Sequence, residues 1–224
     1  MSDLSTTTNI LITGVARGIG YTILTHLLLR PNHTVIGTLR SLPSTTEPHP
    51  LHLLPKHPTT TLILLPLEST TASDYTALLT SLTTQGITHL DTIIANAGIC
   101  PPEGTPATVS ISDLESAFAV NTLGPVRLFQ TLRGLLLEGS KKGREVKWVN
   151  MSTGAASLGL FEITKIGLVQ TEMGNNGARR IGLEEAPNTL EESATKTLAV
   201  IDKATRKETS GKFVNVIDET EFPW

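Results

Sequence analysis

The residues best suited to chemistry come early. Thr13-Gly14-Val-Ala-Arg17-Gly18-Ile19-Gly20 follows the apolar run Asn9-Ile-Leu-Ile12 and opens a helical pattern. Glycine at 14, 18 and 20 removes side chains where a backbone must turn sharply and approach a ligand. The start of the helix presents N–H groups that have no partner within the helix. A strand, a glycine-rich turn and a helix N-terminus in this order cradle the pyrophosphate of a dinucleotide, with Gly14, Arg17, Gly18, Ile19 and Gly20 lining it. A cofactor held there would carry hydride, leaving the protein to orient a substrate and move a proton.

The next candidates concern which dinucleotide. The second apolar run, Thr34-Val-Ile-Gly-Thr-Leu39, ends without the acidic residue that would hold a ribose 2′-hydroxyl; Thr38, Leu39 and Arg40 stand there instead. Arg17 and Arg40 together suit a 2′-phosphate, so NADP is expected in preference to NAD, although each arginine also reads as a solvated surface charge. His49, His52 and His57 share a loop, but their spacing matches no metal-ligand pattern and no metal is expected. Cys100, towards the expected mouth of the site, reads as a passive small residue.

These residues need a frame. Ile19, Ile23, Leu24, Leu27 and Leu28 form a helical stripe that ends before Pro31. Residues 41–60, rich in Pro, Thr and His, read as a loop. Thr61–Leu65 is a third strand, Tyr75, Leu78, Leu79 and Leu82 mark a helix ending near Gly86, and Leu90–Ala95 is a fourth strand. Ser112 and Glu115 suggest a capping box opening a long helix to Leu137, bent near Pro125. Val146–Met151 is a fifth strand. Strands alternating with helices predict an α/β, Rossmann-like, doubly wound parallel sheet in a single domain over residues 1–224, with ligands at the C-terminal ends of the strands.

Composition fits that frame. The chain has 224 residues, 39% hydrophobic and 17% charged, enough for one sizeable core. A net charge of −3 gives no case for nucleic acid or an anionic membrane. One cysteine excludes an intrachain disulfide. Neither a secretory signal nor an apolar run of about 18 residues is seen, so the expectation is a soluble, cytoplasmic protein.

Taken together these segments resemble the short-chain dehydrogenase/reductase family. The matching pieces are Thr13-Gly14-x-x-x-Gly18-x-Gly20, Asn96-Ala97-Gly98 after the fourth strand, Asn121 in the helix that follows, Asn150-Met-Ser-Thr153 closing the fifth strand, and Gly167-Leu-Val-Gln-Thr171-Glu-Met-Gly174. The ending, Ser210-Gly-Lys-Phe213 through Pro223-Trp224, is similar to the branch containing C-factor, sniffer and norsolorinic acid ketoreductase. The resemblance implies hydride transfer between NADP and a small carbonyl or alcohol substrate, lipophilic or aromatic in that branch. It also implies roles. Asn96, Ala97 and Gly98 would line the cofactor ribose or serve as a strand end; Glu68 would lie near adenine or stand as an exposed acid before a helix. Val169 and Thr171 would lie beneath the nicotinamide. Asn121, a poor mid-helix residue, would supply a kink with a free carbonyl for the proton relay. Thr153, with Ser152 as its neighbour, would orient the substrate carbonyl or cap the strand end.

The departure lies between Thr153 and Gly167. The family normally carries a long helix there with a Tyr-x-x-x-Lys pair as its proton donor. This chain has only Tyr21 and Tyr75, and neither has Lys four residues on. Phe161 to Leu168 could start that helix with Phe in place of Tyr, leaving Lys165 in the place that bonds the nicotinamide ribose. Alternatively Phe161–Ile166 is the sixth strand, the sheet is truncated between strands five and six, and the helix is absent. The second reading keeps Gly167 and Thr171 directly after a strand and is preferred. Oligomerisation remains open, since the helix that usually builds the interface is missing. The expected function is an NADP-dependent ketoreductase-like enzyme impaired in proton transfer. The alternatives are a catalytically silent dinucleotide-binding protein and the product of an exon-skipped transcript.

Overall fold

Residue alternation decides where each strand side chain goes. In the computed structural model, which describes residues 7–42, 49–100, 107–157 and 167–223, the strands are β1 (Thr8–Thr13), β2 (His33–Leu39), β3 (Thr61–Pro66), β4 (Thr92–Ala95) and β5 (Lys147–Asn150). They form one parallel sheet in the order β3-β2-β1-β4-β5. Ile10, Ile12, Val35, Leu39, Leu64 and Ile94 point to one face, while Leu11, Ile36, Leu65, Ile93 and Ala95 point to the other. Both faces are apolar and both are covered, as a parallel sheet requires.

Helices supply the cover. On the first face lie α1 (Gly18–Leu28) and α6 (Leu190–Lys203), with Ile23, Leu24, Leu27 and Leu28 packed beside Ala194, Leu198 and Ile201. On the second lie α2 (Ala72–Thr84) and α4 (Gly124–Lys141). Tyr75, Leu78 and Leu82 there meet Leu128, Leu132 and Leu136, which recur every fourth residue along one stripe. The arrangement is the α/β, Rossmann-like, doubly wound fold expected from the sequence. After β3 the chain returns across the sheet to lay β4 beside β1, and this reversal creates the crevice where such sheets bind ligands. Among the described residues no helix is long and apolar enough to cross a membrane.

Three local expectations need correction. The capping box at Ser112 and Glu115 does not form: α3 (Ile111–Phe118) starts two residues earlier, after Ser110, whose hydroxyl makes no capping bond and instead meets that of Ser112 at 2.7 Å. The bend expected near Pro125 is a π-turn over Ala119–Leu123, where the N–H of Gly124 donates to Ala119 O. Pro125 has no N–H to return to the Asn121 carbonyl four residues back, so a widened turn relieves the conflict. The helix then runs on to Lys141, past Leu137, and ends before Gly143, whose φ of +75° is the usual left-handed stop.

The proposed sixth strand, Phe161–Ile166, lies outside the described residues. Among those described, β5 is an edge of the sheet, and the chain after Gly167 shows strand-like pairing only at two isolated bridges, a parallel one between Val169 and Asn188 and an antiparallel one between Val214 and Glu221. The short helix α5 (Glu172–Arg180) follows, with Gly174, Asn175, Asn176 and Gly177 inside it, all poor helix formers. A bridge this slight gives little local protection. In hydrogen-exchange measurements the amides of Gln170 and Asn188 should exchange much faster than those of Ile12 and Ile94; equal protection would show that another element holds this segment.

Candidate cofactor and active site

Parallel register brings the candidate residues to one edge. Thr13 lies beside Thr38, Leu39 beside Pro66, and Ala95 beside Asn150. The N–H of Leu67 continues the ladder to Leu39 O at 2.7 Å, and that of Met151 to Ala95 O at 3.0 Å. The glycine-rich turn, Arg40, Glu68, the Asn96–Gly98 loop and Ser152–Thr153 therefore all leave the sheet at its C-terminal edge.

Two polar side chains lock the centre of that edge. The Thr13 hydroxyl accepts from the N–H groups of Asn96 (3.0 Å) and Ala97 (2.9 Å), while Asn96 Nδ2 donates to Thr13 O at 2.9 Å and Gly14 O at 3.3 Å. Asn96 thus works as a structural clasp. The clasp explains two glycines: a Cβ on Gly20 would lie 2.4 Å from Asn96 Nδ2, and one on Gly14 would lie 3.0 Å from Ala97 Cα at a φ of +72°. Val15 anchors the turn from below, fully buried, in space left by Gly37 of β2.

The turn delivers α1 in a state suited to an anion. Its N-cap residue, Arg17, makes no side-chain capping bond, and its first turn contains no acid. The helices α2, α3, α5 and α6 each carry an acid in their first turn. The positive end of α1 is therefore left uncompensated beside glycine backbone, an arrangement that fits the pyrophosphate of a dinucleotide. Arg40 is exposed just beyond β2 and forms no ion pair with another described residue. Arg17 is also exposed, but its guanidinium bonds the carboxylate of Glu172 on α5. Ile19 turns its side chain onto the first core face. Glu68 folds back on its own loop, accepting from the N–H and hydroxyl of Thr70, both at 3.2 Å.

The other candidates divide. Asn121 sits within the π-turn and clasps Ile99 in both directions, accepting from its N–H at 2.9 Å and donating to its carbonyl at 2.8 Å; this fixes the loop after Gly98. Thr153 and Ser152 are exposed, and the Thr153 hydroxyl accepts from Ala155 N at 3.3 Å, which caps a short turn and leaves its own proton to give. Thr171 caps α5 by accepting from Gly174 N at 2.9 Å, and its Cγ2 lies 3.4 Å from where a Gly18 Cβ would be. Val169 is buried, and its carbonyl crowds Gly174, where a Cβ would lie 1.9 Å away. Lys165 lies outside the described residues, and Cys100 is exposed.

Neither tyrosine takes the proton donor's place. Tyr75 is buried under α4, donating to the carbonyls of Ser69 (2.9 Å) and Gly124 (3.2 Å), and burial pushes its phenol above the ordinary value. Tyr21 packs against the first core face. A cleft of about 550 Å³ opens at the opposite end of the strands, where Arg144 bonds Asp91, Arg30 bonds Asp202, and Lys147 donates to the carbonyls of Ile201 and Asp202. Among the described residues no group of three His, Cys, Asp or Glu is placed to hold a metal. Reading the sequence put Thr13 at the head of the glycine motif but gave its hydroxyl no task, and it gave Glu172 none, since Glu172 stands 155 positions from Arg17 and has no local signal.

The profile of the family described as short chain dehydrogenase matches residues 8–165. A short-chain dehydrogenase from Neurospora crassa is 36% identical, over 97% of this chain and 98% of its own length. The norsolorinic acid ketoreductase of Aspergillus parasiticus is 32% identical, over 96% and 90%. Those alignments run over 255 and 247 positions, more than the chain has residues, so the relatives hold segments without a counterpart here. Among solved structures, the carbonyl reductase Sniffer of D. melanogaster superposes with a TM-score of 0.80 at 22% identity, covering 97% of this chain and 99% of that one. An NADPH-bound carbonyl reductase from chicken fatty liver gives 0.76 at 24%, covering 96% and 98%.

The clasp predicts a sharp cost for one methyl group. Gly20→Ala should lower stability in urea unfolding by about 1–3 kcal/mol, as overpacking does. An unchanged midpoint would mean that Asn96 does not hold the turn.

Proposed function

The chain belongs to the short-chain dehydrogenase family, and on that premise we propose that it binds NADP at the C-terminal edge of its sheet and retains at most slow carbonyl–alcohol oxidoreduction. One observation carries the reading. The uncompensated N-terminus of α1 stands in a glycine cradle beside an arginine that, among the described residues, has no ion-pair partner at the end of β2. That combination matches a pyrophosphate and a 2′-phosphate at once.

Each residue then has a task. The backbone of Gly14, Gly18, Ile19 and Gly20 takes the pyrophosphate; Arg40 and Arg17 take the 2′-phosphate. Glu68 borders the adenine, though its side chain must leave Thr70 to reach it. Asn96, Ala97 and Gly98 form the wall beside the ribose, and Val169 and Thr171 the wall beside the nicotinamide. Bound NADPH supplies hydride. Thr153, aided by Ser152, orients a substrate carbonyl through its free hydroxyl proton, and Asn121 holds the loop that faces them. The NADPH-bound relative in fold and the ketoreductases in sequence support both the cofactor and a lipophilic or aromatic carbonyl substrate.

The proton is the weak step. A developing alkoxide needs an acid, and loss of general acid catalysis costs about 10²–10⁴-fold in rate. Both phenol rings pack in the two core faces, and the Tyr75 hydroxyl is taken up by the carbonyls of Ser69 and Gly124. This favours, as a second reading, a protein that binds the dinucleotide without turning it over, serving as a sensor or partner subunit.

Binding and turnover separate these readings. In fluorescence titrations the chain should bind NADPH more tightly than NADH, and Arg40→Ala should weaken NADPH about tenfold or more while leaving NADH nearly unchanged. Equal affinities for the two cofactors would remove the 2′-phosphate role. In steady-state NADPH oxidation across a panel of ketones and quinones, turnover should stay below about 1 s⁻¹, the low end of the usual range. Faster turnover would require a proton donor other than tyrosine. Where slow activity is seen, Thr153→Ala should reduce it further, by about 10-fold or more.

A further inference from the structure

One ion pair crosses the mouth of the cradle. Arg17 belongs to the glycine-rich turn and Glu172 to the first turn of α5, and their side chains, 76% and 70% exposed, bond each other across the gap between these elements. Beside them the Thr171 methyl rests against Gly18, 3.4 Å from the position a Cβ would take. Turn and helix thus touch at two neighbouring points, one polar and one apolar. No other arginine or lysine ion pair joins the glycine-rich turn to another described element.

We propose that Glu172 is a specificity-determining residue: its carboxylate occupies Arg17 as an internal rival of the cofactor's 2′-phosphate. The proposal rests on Arg17 serving that phosphate. A guanidinium cannot give the same N–H groups to a carboxylate and to a phosphate, so binding of NADPH must release Glu172. NADH has no group that needs Arg17 and leaves the pair in place. Glu172 therefore taxes only the phosphorylated cofactor, and it lowers the preference for NADPH that Arg17 and Arg40 create. A phosphate prevails because it brings more charge and more acceptor oxygens than a carboxylate. The tax is small because both partners are exposed and exposed ion pairs are weak.

The role differs from a structural one in sign. An acid in the first turn of a helix also steadies the helix dipole. If that were all Glu172 did, its neutralisation would loosen α5 and weaken both cofactors alike.

Dissociation constants for NADPH and NADH, measured by calorimetry at low salt on the wild type, Glu172→Gln, Arg17→Ala and the double variant, decide the matter. Glu172→Gln should tighten NADPH by about 1.5- to 5-fold, the range an exposed pair allows, and leave NADH unchanged. In the Arg17→Ala background the gain should vanish. No gain for NADPH, or equal weakening of both cofactors, overturns the proposal while Arg17→Ala still weakens NADPH selectively. If Arg17→Ala leaves the ratio of the two constants unchanged, Arg17 does not serve the 2′-phosphate, and that reading falls together with the proposal.

Discussion

The hydrogen bonds between Thr13 and Asn96 are the constraint on which the site depends. They join the ends of β1 and β4, the two strands between which the chain reverses direction across the sheet. Four bonds from two side chains hold the glycine-rich turn against the Asn96–Gly98 loop. A net value of about 1 kcal/mol for each such bond is modest, but leaving any of these groups buried and unpaired would cost more. With the two loops fixed, α1 can begin only where its N-terminus faces the crevice. Asn121 extends the same logic outward, holding Ile99 by its backbone from within the π-turn.

That architecture separates binding from chemistry. The residues proposed to hold the pyrophosphate, the 2′-phosphate and the ribose come from the ends of β1, β2 and β4, which lie in the middle of the sheet with neighbours on both sides. The groups that should move a proton belong to the side of β5, an edge among the described residues. Binding residues are therefore set in the best-packed part of the molecule, while Thr153 stands exposed beyond the edge strand. On the proposed reading the cofactor cradle is preorganised, while neither of the chain's two tyrosines is placed to serve as the proton donor. The two tyrosines it has serve the core, and the burial that makes Tyr75 useful there holds its proton more firmly.

Much of this was legible from residue order. Continuous apolar runs located the five described strands, because a sheet buried on both faces leaves runs such as Leu62–Leu65. The glycine turn was legible because φ near +70° at Gly14 and the contact at Gly20 leave no other residue type room. What was not legible depended on partners distant in the chain. Ser112 and Glu115 satisfy the local pattern of a cap, yet the helix starts at Ile111, since tertiary packing sets where a helix begins. The π-turn follows from Pro125 but is placed ahead of it. The pairing of Arg17 with Glu172 has no local signature at all, and neither does the bond from the Tyr75 hydroxyl to the Gly124 carbonyl.

The central claim is that the cradle works as an adenosine 2′-phosphate site on the residues at the ends of β1 and β2. Calorimetric titration with adenosine 2′,5′-bisphosphate, which carries the 2′-phosphate and one phosphate of the pyrophosphate but no nicotinamide, tests it directly. The account predicts saturable one-to-one binding, tighter than that of adenosine 5′-monophosphate and displaced by NADPH. Absence of saturation, or equal affinity for the two nucleotides, would contradict it.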